Sequence, residues 1–182
     1  FRCCSDGESR TPPLLKSAVG VATQLLSQFF SGAGRVAADE EVIPVSSVDD
    51  VVSIIRSDYR RNYFVTGRFT ASIYADDCRF EDPTIGFEGK DLYSRNLNLL
   101  VPFLENASIE LKTVKKGNDS AGEEFIECSW KLTTHLRFPW KPLICIDGRT
   151  VYSLDEELRV VKHVEYWNKS AIDAIIQIFI PG

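Results

Sequence analysis

The fold is decided by residues 74–104, which read YADDCRFEDPTIGFEGKDLYSRNLNLLVPFL. The apolar stretch around Phe80 predicts a short strand, Pro83 ends its pairing, and residues 90–104 have the apolar spacing of an amphipathic helix. Side chains alternate between the two faces of a strand, so Phe80 and Asp82 share one face. Because Phe80 is expected to face the core, the carboxylate of Asp82 is expected to point the same way.

The composition indicates a globular protein with one main domain. The chain has 182 residues, of which 44% are hydrophobic and 26% are charged. Its net charge of -5 argues against a nucleic-acid binder, which normally presents a basic face to phosphates. No apolar run approaches the roughly 20 residues of a transmembrane helix, which leaves peripheral membrane contact open. The five cysteines have no Cys-x-x-Cys spacing, and the sequence indicates no metal site and no cofactor.

Periodicity divides the chain into three parts. Residues 1–46 contain an amphipathic helix over 14–30 and a polar linker, residues 47–168 form the main domain, and residues 169–182 form an apolar C-terminal helix. Within the main domain, Ser47 and Asp50 predict the start of a helix that runs to residue 65. Further predictions are a short helix over 69–75, a helix over 90–104, and strands over 78–82, 107–116, 124–138, 143–153 and 158–168.

This order of elements resembles that of the superfamily formed by nuclear transport factor 2, ketosteroid isomerase and SnoaL-like polyketide cyclases. Three stretches carry the resemblance: Tyr74 to Pro83, Phe87-x-Gly89, and LRVVKHVEYWN over residues 158–168. The resemblance implies a cone-shaped α+β fold, in which a curved antiparallel sheet wraps around helices. To this fold the chain would add an extra N-terminal helix and a C-terminal apolar helix.

The expected location is the chloroplast, with the mitochondrion as the alternative. The first residues, FRCCSDGESRTPP, mix Arg, Ser and Cys as the tail of a transit peptide does. Residues 80–104 are similar to an uncharacterised plant and cyanobacterial branch of the superfamily, whose plant members are mostly plastid proteins. An ordinary N-terminal segment is the simpler interpretation of the composition alone.

Three residues are candidates for chemistry. Through the resemblance to ketosteroid isomerase, Asp82 stands at the position of the general base, and Tyr59 at that of the phenol that stabilises an enolate oxygen. A carboxylate beside an apolar pocket has a raised pKa, which suits a base. The resemblance to SnoaL-like enzymes places His163 in the pocket lining. The structural alternatives are that Asp82 only starts a turn before Pro83 and that His163 and Glu165 are an ordinary strand pair.

A cavity for a small apolar ligand is the second prediction for the site. Aromatic residues on inward faces can line such a cavity, although in a cone-shaped sheet they more often belong to the packed core. The residues predicted to line it are Phe80, Phe87, Asn96, Trp130 and Trp167.

The leading functional hypothesis is a plastid domain that binds a small apolar molecule or a protein partner. One alternative is an isomerase, cyclase or dehydratase with Asp82 as general base. Another is an assembly module that docks to a larger organellar complex through the helices at residues 14–30 and 172–180. Homodimerisation through the outer face of the sheet is less favoured, because that face carries charged or polar side chains at Glu127, Lys131, His135 and Arg137.

Overall fold

The computed structural model describes residues 43–168, so the predicted transit-peptide remnant and the helices at 14–30 and 172–180 lie outside the described residues. The helices are α1 (Val48–Arg60), α2 (Tyr63–Thr66) and α3 (Lys90–Leu100), with 3₁₀ turns at Ala71–Ile73 and Val101–Phe103. The strands are β1 (Tyr74–Glu81), β2 (Gly86–Glu88), β3 (Leu104–Asn118), β4 (Glu124–Leu136), β5 (Leu143–Leu154) and β6 (Val160–Trp167).

The six strands form one curved, open sheet in the order β2-β1-β6-β5-β4-β3. All neighbours are antiparallel except β1 and β6, which run parallel and pair Phe80 with His163. The helices pack against this sheet, and the α+β cone-shaped fold expected from the sequence is confirmed. The parallel pairing matters for the site, because it brings the ends of β1 and β6 to the same place.

The first helix is shorter than predicted. Ser47 caps it as expected, since its side chain accepts from the Asp50 backbone N–H. The helix then stops at Arg60 because Asn62 adopts a left-handed conformation at φ 52°, and its side-chain oxygen accepts from the Ile109 backbone N–H on β3. The prediction of one continuous helix over 47–65 is therefore wrong.

The region before β1 also differs from the prediction. Only a 3₁₀ turn forms where a helix over 69–75 was predicted, and β1 already begins at Tyr74. The buried carboxylate of Asp58 holds this region, accepting from the Thr70 backbone N–H at 2.9 Å and from the Thr70 hydroxyl at 2.8 Å. These bonds attach the chain entering β1 to α1.

The buried face of α3 lies one position away from the predicted one. At helical spacing Leu92, Asn96, Leu99 and Phe103 share one face, which includes the predicted lining residue Asn96, whereas the buried residues of α3 are Tyr93 and Leu97. Phe103 lies beyond the end of α3 and is 51% exposed. Asn96 remains half-buried at the edge of the inward face.

The core lies between the concave face of the sheet and α1. Trp130 on β4 packs directly over Gly148 on β5, where an added Cβ would lie 2.6 Å from the indole ring. On the other face of the sheet, the Arg149 guanidinium lies 3.3 Å from the Glu127 carboxylate and 4.0 Å from the Tyr166 ring centroid. Within residues 43–168, no helix has the length and apolar character to cross a membrane.

Candidate functional site

Asp82 lies directly after β1, in the turn that leads to β2. Its Oδ1 accepts from the Thr84 backbone N–H at 2.6 Å, the Thr84 hydroxyl at 2.6 Å and the Ile85 backbone N–H at 2.9 Å. Its own backbone N–H donates to the Ile85 carbonyl at 2.9 Å. One carboxylate oxygen thus closes the turn, as Asp side chains commonly do. The other, Oδ2, accepts no hydrogen bond from the residues that the structure describes.

A small pocket opens beside Asp82, between the β1–β2 turn, α3 and β6. The space inside is about 20 Å³, enough for about one water molecule. The pocket is lined by Phe80, Glu81, Asp82, Phe87, Tyr93, Asn96, His163 and Glu165. Five of these residues were predicted for the site: Phe80, Asp82, Phe87, Asn96 and His163. A larger cavity for an apolar ligand stays a prediction, because it would require the pocket to open.

Three carboxylates line this pocket, those of Glu81, Asp82 and Glu165, and the charge of Glu165 changes the pKa of Asp82. Burial raises the pKa of the Asp82 carboxyl, and the charge of Glu165 raises it further. The hydrogen bonds from Thr84 and Ile85 act in the opposite direction, and the pKa is about 6. Asp82 therefore exchanges a proton close to neutral pH, which is the range that acid–base chemistry needs.

His163 and Glu165 contact each other on the inward face of β6. The Nε2 atom of His163 lies 3.4 Å from Glu165 Oε1, and the Trp167 indole N–H donates to Glu165 Oε2 at 3.1 Å. The imidazole is 1% exposed, and its Nδ1 has no hydrogen-bond partner among the described residues. In the neutral ring, a proton on Nε2 suits the contact with Glu165 and leaves Nδ1 as an unpaired acceptor.

Aromatic rings form the apolar wall of the pocket. Phe80 stacks on Tyr93 with ring centroids 4.0 Å apart, and on Phe87 with centroids 5.7 Å apart. Tyr93 was not among the predicted site residues, because the sequence was interpreted with Asn96 on the inward stripe of its helix. The aromatic Tyr93 four residues before Leu97 was the signal that could have found it. Burial and the charge of Glu165 raise the pKa of Tyr93, so its hydroxyl keeps its proton and can donate.

Tyr59 is not part of the lining of this pocket. Its hydroxyl lies 3.4 Å from the Thr150 hydroxyl and 3.4 Å from the Tyr152 hydroxyl, in a separate, fully packed region of the core. Burial raises the pKa of Tyr59. The structure thus does not bring together the phenol and the carboxylate that the resemblance to ketosteroid isomerase paired, and Tyr93 is the phenol that lines the Asp82 pocket.

The two predicted tryptophans lie behind the pocket rather than in its lining. Trp130 donates through its indole N–H to the Thr150 hydroxyl at 2.8 Å and belongs to the same packed region as Tyr59. Trp167 acts on the pocket through its bond to Glu165. Between residues 43 and 168, no cluster of three or more His, Cys, Asp or Glu residues is arranged to hold a metal ion.

Comparison with known proteins gives a family and a fold. A family model described as "Uncharacterized conserved protein (DUF2358)" matches residues 49–163. No curated protein sequence matches the chain significantly.

Three solved structures illustrate the similarity of fold. A nuclear transport factor 2-like protein of unknown function from Burkholderia pseudomallei is 10% identical, with 75% of this chain and 100% of that chain covered and a TM-score of 0.56. A ketosteroid isomerase-like protein from Catenulispora acidiphila, in complex with trimethylamine, is 12% identical, with 74% and 96% covered and a TM-score of 0.54. The epoxide hydrolase/cyclase-like enzyme SalBIII, which has a role in pyran ring formation in the polyether salinomycin, is 16% identical. The match covers 66% of this chain and 94% of that chain, with a TM-score of 0.50.

Proposed function

The chain belongs to the DUF2358 family and has the nuclear transport factor 2-like fold, and from this premise we propose that it binds a small molecule in the Asp82 pocket. The ligand is a compact cation or hydrogen-bond donor, such as a protonated amine. The observation that carries the proposal is that the carboxylates of Asp82 and Glu165 line one small pocket, together with the buried imidazole of His163.

The charge of the lining favours this class of ligand over anions. Glu81, Asp82 and Glu165 line the pocket, and none of the described lining residues is Lys or Arg. A carboxylate or phosphate ligand would face these acidic groups without a cation in the lining to offset them. The aromatic rings of Phe80, Phe87 and Tyr93 also line the pocket, and aromatic rings attract cations. The trimethylamine in the Catenulispora acidiphila structure supports the idea that this fold accommodates a small amine.

The small volume limits what enters. About 20 Å³ admits one small polar group, so we propose that only the head of a larger ligand sits against Asp82. Phe87 is half-buried, and it lies on β2, an edge strand of only three residues. Because such a short edge strand is weakly held, we propose that this side of the pocket moves to admit the remainder of the ligand.

The ligand class is tested by NMR titration at pH 7.5 with methylammonium, trimethylammonium and acetate, using full-length protein. We expect saturable shifts of the Tyr93 and His163 ring signals with the two cations and none with acetate. Asp82→Asn should weaken cation binding about 10- to 100-fold, since a hydrogen bond to a charged group contributes about 1.5–3 kcal/mol. Asp77→Asn is the matched control, because Asp77 is an exposed residue of β1, the strand that leads to Asp82. Equal binding of acetate, or no effect of Asp82→Asn, would refute the proposal.

Proton transfer is a second candidate function, favoured by one observation. A pKa of about 6 lets Asp82 accept a proton from a carbon acid near neutral pH, and the protonated Tyr93 hydroxyl is available to donate to the resulting oxyanion. This candidate retains the predicted base and replaces Tyr59 by Tyr93 as the phenol.

The second candidate predicts catalysed exchange of α-protons of small ketones in deuterated water. The rate should rise with pH through about 6, as Asp82 ionises, and Asp82→Asn should lower it about 100- to 10,000-fold. NMR of the ketone signals measures the rate, with Asp77→Asn as control. Equal exchange with and without the protein would remove this candidate and leave the binding proposal intact.

A further inference from the structure

Three exposed apolar side chains lie at one end of the sheet and form what we call the apolar rim: Leu100, Phe103 and Leu143. They are 40%, 51% and 37% exposed. The Arg137 backbone N–H donates to the Phe103 carbonyl at 2.9 Å, and Leu143 pairs with His135, so the rim lies where β3 begins, β4 ends and β5 begins. The stacked Phe138 and Trp140 rings lie in the adjacent β4–β5 loop.

The direction of the last strand leads the chain toward this rim. β6 runs antiparallel to β5 and pairs Trp167 with Gly148. The next residue, Asn168, donates its backbone N–H to the Asp147 carbonyl at 2.8 Å, and its side chain accepts from the Asp147 N–H at 3.1 Å. Leu143 lies four residues further along β5, a distance of about 13 Å at the rise of a strand. The fourteen residues after Asn168 are long enough to cross it.

The sequence that follows Asn168 is suited to an apolar surface. Residues 171–180 read AIDAIIQIFI, in which only Asp173 and Gln177 are polar. These two are four positions apart, so a helix would place them on one face and leave an apolar surface on the rest. Such a surface is unfavourable in water and requires a partner.

Charge distinguishes between occupants of the rim. Helices that lie on membrane surfaces are rich in Lys and Arg, and residues 171–180 contain neither. Their only charged residue is Asp173. The rim is flanked by the cations of the exposed Arg137 and of Lys141, and Lys141 contacts Glu105 at 3.1 Å. Because Glu105 already offsets the charge of Lys141, the charge of Asp173 is complementary chiefly to that of Arg137.

We infer that residues 171–180 pack against the apolar rim of the same chain. This inference does not depend on the ligand or on the reaction.

Hydrogen–deuterium exchange of the full chain tests the inference. The double variant Ile175→Asn/Phe179→Asn should speed amide exchange in residues 100–104 and 138–143 about fivefold or more, while the distant residues 114–128 keep the wild-type rate. The matched control is Gln177→Ser on the polar face, which should leave all of these rates unchanged.

If the double variant fails to fold, residues 114–128 will also exchange faster, and a second variant is then needed. This reciprocal variant changes the rim instead of the segment. Leu143→Asn should speed exchange in residues 171–180 while residues 114–128 stay protected. Unchanged exchange at the rim in the double variant, together with no effect of Leu143→Asn on residues 171–180, would overturn the inference. Protection of the rim only on addition of anionic phosphatidylglycerol vesicles would also overturn it, in favour of a membrane occupant.

Discussion

Phe80→Ala should lower the free energy of unfolding by about 3–5 kcal/mol, the usual cost of removing a buried aromatic side chain. Phe80 is 2% exposed and lies at the centre of the aromatic wall, with ring centroids 4.0 Å from Tyr93 and 5.3 Å from His163. Its loss would leave a cavity between β1, α3 and β6, the three elements that position the pocket. Urea denaturation of the full-length chain measures the change.

Phe87→Ala is the matched control for this prediction. Phe87 belongs to the same stack but is only half-buried, on an edge strand of three residues. Its truncation should cost less than about 2 kcal/mol, because less apolar surface leaves the interior. Equal losses for Phe80→Ala and Phe87→Ala would contradict the central position of Phe80 in the fold.

Asp82→Asn should change stability in a way that depends on pH. The folded-state pKa of Asp82 is about 6, above the value of about 3.9 for an unfolded chain. Well below pH 4 the carboxyl is neutral in both states and contributes nothing through ionisation. As the pH rises from about 3.9 to about 6, the unfolded chain ionises before the folded one, so the folded state is increasingly penalised, and the penalty is complete above pH 6. A neutral Asn removes it.

The measurement is the melting temperature of both proteins at pH 4 and pH 8. The difference between Asp82→Asn and wild type should be more favourable to the variant at pH 8 by about 2–4 °C. This corresponds to about 1 kcal/mol at this chain length, a value reduced for the partial solvent exposure of Asp82. Asp77→Asn should show no such change between the two pH values. A variant that is relatively less stable at pH 8 than at pH 4 would mean that Asp82 is stabilised as a carboxylate.

The strands were predictable because a half-buried sheet alternates its side chains. The sequence predicted residues 124–138 as a strand, and β4 is Glu124–Leu136. The same alternation placed Asp82 toward the interior, while the resemblance to SnoaL-like enzymes placed His163 in the pocket lining, and both residues line the pocket. Here local pattern and tertiary environment agree, so the pattern was sufficient.

The helices were harder to predict, because tertiary contacts decide their ends and faces. The break at Asn62 depends on a hydrogen bond to Ile109 on β3, 47 residues away. Two apolar stripes fit the sequence of α3 almost equally well, and packing against Phe80 selects the one that contains Tyr93. For the same reason, sequence spacing gave no sign that Tyr59 lies apart from Asp82. The plastid location and the roles of residues 1–42 and 169–182 stay predictions.

Direct titration of the Asp82 carboxyl by carbon NMR tests the central claim, that Asp82 and Glu165 share a pocket that holds a proton near neutral pH. The spectrum of Asp82→Asn assigns the signal. We predict an apparent pKa of about 6 in the wild type and a lower value in Glu165→Gln, because the neutral amide removes a like charge. A wild-type pKa near the ordinary value of about 4, unchanged in Glu165→Gln, would contradict the account.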